Sequence, residues 1–346
     1  MWAYPISLIS YLAVAFLVVF FSIRLSTYVD LLDKKTNASG AILGGVLLAA
    51  TTSLPEFFTA ITATTLVKNN DLVLGDILGS NLFNVILFSI IYLFFFKKMV
   101  NSKVNKNHLL TMGFIGLLYT SVAIAGYVFN FNHILWGWFN PMSIGIMVIY
   151  ALFILKTPKT EESDKDEEVS RLTVKQIIIL FIIFALLLIG ASVGITYLAD
   201  WVIRTYNMGS TFGGALFLGV ATSLPELTAT INLSKRGNID AAYGNIVGSN
   251  TFNFIILAIA DLLSFGCPTP LYAFDQGAFF LLIFGVCDSV ILLFTIILKV
   301  KNKVVDNKKM RALFYTSGIL FIANYLAFLI LSNIDLGLAF APFIRG

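Results

Sequence analysis

The sequence predicts an all-α membrane protein of ten transmembrane helices, arranged as two inverted-topology repeats of five, with helices 2 and 7 broken. Three observations carry this. Apolar residues make up 58% of the 346-residue chain and charged residues 12%, against about a quarter charged in a soluble domain. The apolar residues come in runs of about 20, the length that crosses roughly 30 Å of hydrocarbon. The pentapeptide TSLPE occurs twice, at 52–56 and 222–226, each time followed by a GSN segment, at 79–84 and 248–253.

Span 1 covers 5–28. No Lys or Arg precedes it and no small-residue cleavage site follows, so it reads as a retained helix rather than a signal peptide. Span 2 (38–66) holds the first TSLPE and span 3 (71–96) the first GSN segment; spans 4 and 5 cover 108–129 and 135–156. The second half repeats the order: span 6 at 174–202, span 7 at 210–233 with TSLPE, span 8 at 239–264 with GSN, span 9 at 273–299 and span 10 at 311–333. This division gives a first repeat at 1–156, a linker at 157–173 and a second repeat at 174–346. The linker is acidic and lacks the spaced ligands and central Gly of an EF-hand loop, so it reads as a solvated connection.

All of the 23 Lys and Arg residues except Lys68, Arg204 and Arg345 fall in or beside the loops that follow spans 1, 3, 5, 7 and 9. By the positive-inside rule those loops and the linker are cytoplasmic, and both termini face outward. Each half has an odd number of spans, so the second enters the membrane from the opposite side, the scaffold of many secondary transporters. There is no room for a sizeable soluble domain, and the basic excess needs no nucleic-acid partner. The bilayer is the partner that the composition implies; no obligate protein partner is evident. Cys267 in a loop and Cys287 in an apolar run imply neither a disulfide framework nor a metal motif.

An ionisable group in hydrocarbon costs several kcal/mol and is a functional-site candidate. Glu56 and Glu226 sit at matching depth in the two halves. Pro55 and Pro225 cannot donate a backbone hydrogen bond and clash with the preceding turn, so the helix is expected to break near 51–53 and 221–223. Freed carbonyls, Thr and Ser hydroxyls and a carboxylate make an oxygen-rich cage of the kind hard cations prefer. Gly75 and Gly79, like Gly244 and Gly248, have small-xxx-small spacing that lets backbones approach. Ser80 and Asn84 share a helix face, as do Ser249 and Asn253, and can offer oxygens to the same cavity.

At these residues the chain resembles the cation/calcium exchanger superfamily, most closely its prokaryotic sodium/calcium exchanger branch. The family's paired repeats carry GTSLPE and GNxxGSN; here they read TTSLPE with GDILGSN and ATSLPE with GNIVGSN. The resemblance implies an ion cluster between spans 2, 3, 7 and 8. It makes Glu56 and Glu226 the coordinating acids, Thr52, Ser53, Thr222 and Ser223 ligands at the breaks, and Ser80 and Ser249 hydroxyl ligands. It also implies that spans 1 and 6 slide across the core.

The chain departs from the pattern at three places. Asn253, with Asn84 as its mirror, stands where several relatives carry Asp, which goes with K⁺ independence in the family. Asp76 replaces the usual Asn, kept as Asn245; it is either a third acid near the cavity or a carboxylate settled by protonation or hydrogen bonds. Thr51 and Ala221 replace the Gly before TSLPE. Elsewhere, Asp200 and Asp261 read as wet span ends, Asp288 as an acid outside the motif, and His108 and His133 as ordinary interface residues.

The expected function is secondary antiport of Na⁺ for Ca²⁺ by alternating access, independent of K⁺, in the cell membrane. The alternatives are H⁺/Ca²⁺ exchange, with protons replacing Na⁺ on the two glutamates, or a cation channel. No cofactor is expected beyond the transported ions. An enzyme is disfavoured, because the serines have no evident base and no nucleotide motif is present.

Overall fold

The computed structural model describes residues 3–36, 50–127, 138–156, 172–301, 308–332 and 334. The spans predicted at 38–66 and 135–156, the linker, His133 and the C-terminal end therefore lie partly or wholly outside the described residues. The first half contains α1 (Ala3–Thr36), α2 (Leu54–Thr62), α3 (Asn70–Phe94), α4 (Phe96–Asn101), α5 (Asn107–Tyr127) and α6 (Pro141–Lys156). The second contains α7 (Val174–Thr205), α8 (Ser210–Thr222), α9 (Leu224–Lys235), α10 (Ile239–Leu262), α11 (Gln276–Val300) and α12 (Lys308–Leu331).

Among the described residues, seven helices are long and apolar enough to cross a membrane, or eight when α8 and α9 count as one bent span. The chain is an all-helical, multi-pass membrane protein. Two shorter apolar helices, Leu54–Val67 and Pro141–Lys156, complete the set. At about 1.5 Å per residue, the 16 residues of α6 fall short of the hydrocarbon thickness. Span 5 was predicted to start at 135, but 138–140 are not helical. Asn140 starts the helix instead: its side chain accepts from Met142 N at 2.9 Å, and Pro141 occupies a position that needs no donor.

Both TSLPE segments break the helix where the prolines require. The turn is at Ser53 (φ −89°, ψ 13°) and at Ser223 (φ −83°, ψ −2°), with Pro55 and Pro225 in the first turns of α2 and α9. The second break bends its span by 44°. Each broken span also carries a π-helical turn, Ala63–Val67 after the first break and Gly214–Leu218 before the second. The helices that follow open alike: Asn69 accepts from Leu72 N at 3.1 Å to cap α3, and Asn238 accepts from Ala241 N at 3.2 Å to cap α10.

The core forms around α3 and α10, which pack on each other and are buried over most of their length. Close approach of α3 to α8 depends on two glycines. A β-carbon at Gly75 would lie 2.1 Å from the Thr211 carbonyl oxygen, and one at Gly79 would lie 2.5 Å from Ala215 Cα. The mirror expectation fails at Gly244, where a β-carbon would meet only His108 Cε1 at 3.5 Å, an ordinary contact. There a side chain from α5, rather than a backbone, occupies the facing position.

Helices α1 and α7 are different. They pack along each other, with Phe184 against Phe21 and Tyr28 at ring distances of 6.0 and 5.5 Å, and most of their surface is exposed. They cross over between halves: α7 lies against α2, and α1 against α8 and α9.

Candidate functional site

The two breaks face each other at the centre of the core. Ser53 Oγ, in the first break, donates to Glu226 Oε1 at 2.9 Å, across to the second half. Thr52 Oγ1 lies 3.4 Å from Ser249 Oγ, and Ser80 Oγ lies 3.3 Å from Thr222 Oγ1. These last two contacts are mirror images: each joins the Thr of one TSLPE to the Ser of the other half's GSN. All eight residues of the set Thr52, Ser53, Glu56, Ser80, Thr222, Ser223, Glu226 and Ser249 are buried.

The symmetry is incomplete at the glutamates. Ser223 Oγ has no hydrogen-bond partner among the described residues, so the mirror of the Ser53–Glu226 bond is missing. Glu56 consequently has no partner for either carboxylate oxygen, and Glu226 none for Oε2. Leaving such groups unmatched in a dry interior is costly. Glu226 and Asp76 both act electrostatically on Glu56. No Lys, Arg or His pairs with any of the three among the described residues. The centre is a concentration of negative charge and inward-facing oxygens with no protein cation to balance it.

Asp76 lies beside this centre, with both of its oxygens engaged. Thr59 Oγ1 donates to Oδ2, and Thr222 Oγ1 lies 3.4 Å from Oδ1. Its counterpart Asn245 donates to Thr230 Oγ1 at 3.0 Å. This geometry is compatible with both sequence readings, a hydrogen-bonded carboxylate and a third acid near the cavity. No group of three or more His, Cys, Asp or Glu side chains is placed to hold one metal ion among the described residues. A cation at this centre would depend on two carboxylates and neutral oxygens.

Asn84 and Asn253 sit next to the hydroxyls in a cluster of four amides. Asn84 Nδ2 donates to Asn250 Oδ1 at 3.0 Å, and Asn253 Nδ2 to Asn81 Oδ1 at 2.9 Å. Asn250 Nδ2 donates to the Asn81 carbonyl at 3.0 Å. With their amide nitrogens engaged, Asn84 Oδ1 and Asn253 Oδ1 are left without partners and available to an ion. Sequence reasoning missed Asn81 and Asn250 as the residues that orient this pair. The signal was present, since both are the Asn of GSN. Thr59 and Thr230 were missed for a different reason: they fall at non-equivalent positions of the two repeats, so no motif marks them.

Asp261 corrects an expectation. It is buried rather than wet, accepting from Asn140 N and from Ser143 Oγ, each at 2.7 Å. The start of α6 folds over it. Asp200 is half-buried and pairs with Arg204 at 2.7 Å, and His108 pairs with Asp240 at 3.0 Å. Both cysteines are free.

The fold matches solved exchangers over nearly its whole length. Against the crystal structure of the H⁺/Ca²⁺ exchanger CAX the TM-score is 0.68 at 14% identity, covering 94% of this chain and 90% of that one. Against the sodium-calcium exchanger NCX_Mj it is 0.56 at 19% identity, covering 95% and 99%. Among sequences, the chain is 27% identical to the inner membrane protein YrbG of Escherichia coli (strain K12) over 77% of this chain and 82% of that protein. It is 36% identical to the sodium/calcium exchanger MaX1 of Methanosarcina acetivorans, over only 23% and 22% of the two chains. The sodium/calcium exchanger protein family matches residues 6–156 and 176–333, once in each half. With that match covering most of its length, the chain belongs to the sodium/calcium exchanger protein family and is a transporter rather than an enzyme.

Proposed function

We propose that this protein is a secondary antiporter that exchanges Na⁺ for Ca²⁺ across the cell membrane by alternating access, independently of K⁺. One observation carries the reading: Glu56 and Glu226 are buried together between two helix breaks, with three carboxylate oxygens unpartnered and no protein cation beside them. A divalent ion nearly neutralises two carboxylates, and Na⁺ ions neutralise them in turn. Ca²⁺ takes about six to eight oxygens. Glu56, Glu226, Thr52, Ser53, Thr222, Ser223, Ser80 and Ser249 supply that number, with Asn84 and Asn253 at the edge and Asp76 behind.

In this reading, ten spans form two inverted repeats at 1–156 and 174–346, joined by a cytoplasmic linker, with both termini outside. The basic residues concentrated on one side of such a layout support it. Helices α1 and α7 form the moving unit, which their exposed surfaces and mutual contact support.

The relatives' names divide between Na⁺ and H⁺ as the counter-ion, and protons on Glu56 and Glu226 would be the alternative. The experiment is uptake of radiolabelled Ca²⁺ into vesicles holding the purified protein, driven by an outward Na⁺ gradient or by a pH gradient at equal ionic strength. Uptake that follows Na⁺ supports the proposal. Uptake that follows only the pH gradient replaces it with H⁺/Ca²⁺ exchange, and gradient-independent currents would indicate a channel.

A further inference from the structure

Helices α1 and α7 each bury a narrow stripe and expose most of the rest. On α1 the stripe runs from Tyr11 through Val18 and Ser22 to Leu25; on α7 it includes Leu188, Ser192 and Ile195. The shift in number that carries Thr52 onto Thr222 also carries Val18 onto Leu188, Ser22 onto Ser192 and Leu25 onto Ile195. The repeat that builds the ion centre therefore extends to these helices and puts a serine at the same place in both. Ser22 and Ser192 are fully buried, and neither hydroxyl has a hydrogen-bond partner among the described residues. A helical Ser or Thr can settle its hydroxyl on the carbonyl four residues back, as Thr62, Ser121, Thr251 and Ser289 do here. Ser22 and Ser192 leave that bond unmade, and an unmatched hydroxyl in a dry interior is costly.

Two hydrogen bonds place the serines relative to the glutamates. Tyr11 Oη donates to the Phe217 carbonyl of α8 at 2.7 Å. Ser22 is on the same face of α1, about three turns beyond Tyr11. Helix α1 also contacts α9, which carries Glu226. In the other seam, Asn69 Nδ2 donates to Asp200 Oδ1 of α7 at 3.2 Å, and α7 packs along α2. Counting back from that bond, Ser192 lies about two turns before Asp200, and Glu56 about three and a half before Asn69. Ser192 thus sits about one turn from Glu56 toward the Asn69 end. Ser22 takes the mirror position, beyond Glu226 toward the opposite end. About one turn further out come Ser26, also unpartnered, and Thr196. Ser234 of α9 adds another buried, unpartnered hydroxyl in the second half's broken span.

We propose that Ser22 and Ser192 are cation-contacting residues on the two approaches to the ion centre, Ser22 on the approach past Glu226 and Ser192 on the approach past Glu56.

The chemistry follows from the oxygens. Na⁺ and Ca²⁺ are hard cations that exchange hydration water for other oxygens. A serine hydroxyl carries two lone pairs and no charge. It replaces one water on a passing ion without trapping it, as a carboxylate at that place would. Each seam joins a helix of one half to the broken span of the other. An ion leaving the centre along a seam meets the serine within about one turn. In this structure both hydroxyls are closed in by packing, and parting of α1 and α7 from the core would wet one serine at a time. This role rests on the exchange reading above. In that layout Ser192 lies toward the outside and Ser22 toward the cytoplasm.

The test uses cysteine as a reporter and Cd²⁺ as the probe, a divalent cation that prefers thiolate. In vesicles holding the purified protein, Ser22→Cys and Ser192→Cys should each make Ca²⁺ flux at least about tenfold more sensitive to Cd²⁺ than the parent, whose two native cysteines set the baseline. Leu17→Cys and Leu187→Cys, a mirror pair on the exposed faces of the same helices, should match the parent. Equal sensitivity at the serine and leucine positions overturns the proposal. Ser22→Ala and Ser192→Ala remove only the oxygen. Each should lower Ca²⁺ flux by about threefold or more, the scale of one lost polar contact, with equilibrium Ca²⁺ binding unchanged. Unchanged flux, or loss of binding along with flux, overturns the proposal. A parent that moves no Ca²⁺ under any gradient would refute the exchange reading, and labelling then decides the approaches by themselves. A small cationic methanethiosulfonate, added to membrane vesicles of known orientation, should label Ser192→Cys from the outer face and Ser22→Cys from the cytoplasmic face. Absence of label at both serine positions overturns the approaches.

Discussion

Glu56 and Glu226 are chemically identical but structurally unequal. Glu226 is held by Ser53, and Glu56 by no hydrogen bond among the described residues. Both are expected to be essential for Ca²⁺ exchange, because Gln keeps the shape and removes the charge that a buried divalent ion requires. Glu56→Gln and Glu226→Gln should each reduce Ca²⁺ flux by at least about a hundredfold, equivalent to roughly 3 kcal/mol, while the purified proteins stay monodisperse. Near-parental flux in either would remove that residue from the ligand set. Stability should separate them: Glu226→Gln disturbs an existing bond, whereas Glu56→Gln relieves an unpaired group. A thermal-melting comparison in detergent should therefore place Glu56→Gln at or above the parent and Glu226→Gln below it. The amides give another prediction. Asn253 supplies an oxygen and no charge, so flux in the parent should be unchanged when K⁺ is replaced by choline. Collapse of flux without K⁺ would overturn K⁺ independence and direct attention to Asp76.

At the scale of elements, the breaks were legible because proline acts locally: Pro55 and Pro225 fixed the turns at Ser53 and Ser223 from sequence alone. The candidate residues came from the same local signal. What could not be read depended on partners distant in sequence. Asp261 looked like a wet span end because nothing nearby in the chain shows that Asn140 and Ser143 will cover it. Gly75, Gly79 and Gly244 share one spacing, yet only the first two meet a backbone. The ends of α1 and α7 also run past the apolar stretches, to Thr36 and Thr205, because a helix continues through polar turns that hydropathy excludes. The glycine contact has a direct consequence. Gly79→Val puts a branched side chain where even a β-carbon would lie 2.5 Å from Ala215 Cα. Overpacking of this kind costs about 1–3 kcal/mol or more. Gly79→Val should lower thermal stability and Ca²⁺ flux together, whereas Gly113→Val on the open side of α5 should change neither. A Gly79→Val protein as stable as the parent would contradict the close approach of α3 and α8.

For the whole molecule, the division between a buried core and an exposed pair of helices suggests how the site is reached. The proposed ion centre is built from α2, α3, α8, α9 and α10, which interlock through contacts between halves. Helices α1 and α7 touch that core and hold to each other through aromatic rings. Their joint sliding would expose the centre first on one side of the membrane and then on the other, with the core unchanged. Cross-linking α1 to α7 should leave transport intact, and cross-linking either to the core should stop it; continued turnover in the second case would contradict the sliding unit.

The site between the two breaks is expected to hold either Ca²⁺ or Na⁺, never both. Equilibrium binding of Ca²⁺ to the purified protein, titrated with Na⁺ at constant ionic strength in choline, tests it most directly. Na⁺ should displace Ca²⁺ completely with a Hill coefficient above one, since more than one monovalent charge must replace a divalent one. Ca²⁺ binding that persists unchanged in saturating Na⁺ would contradict a shared cavity.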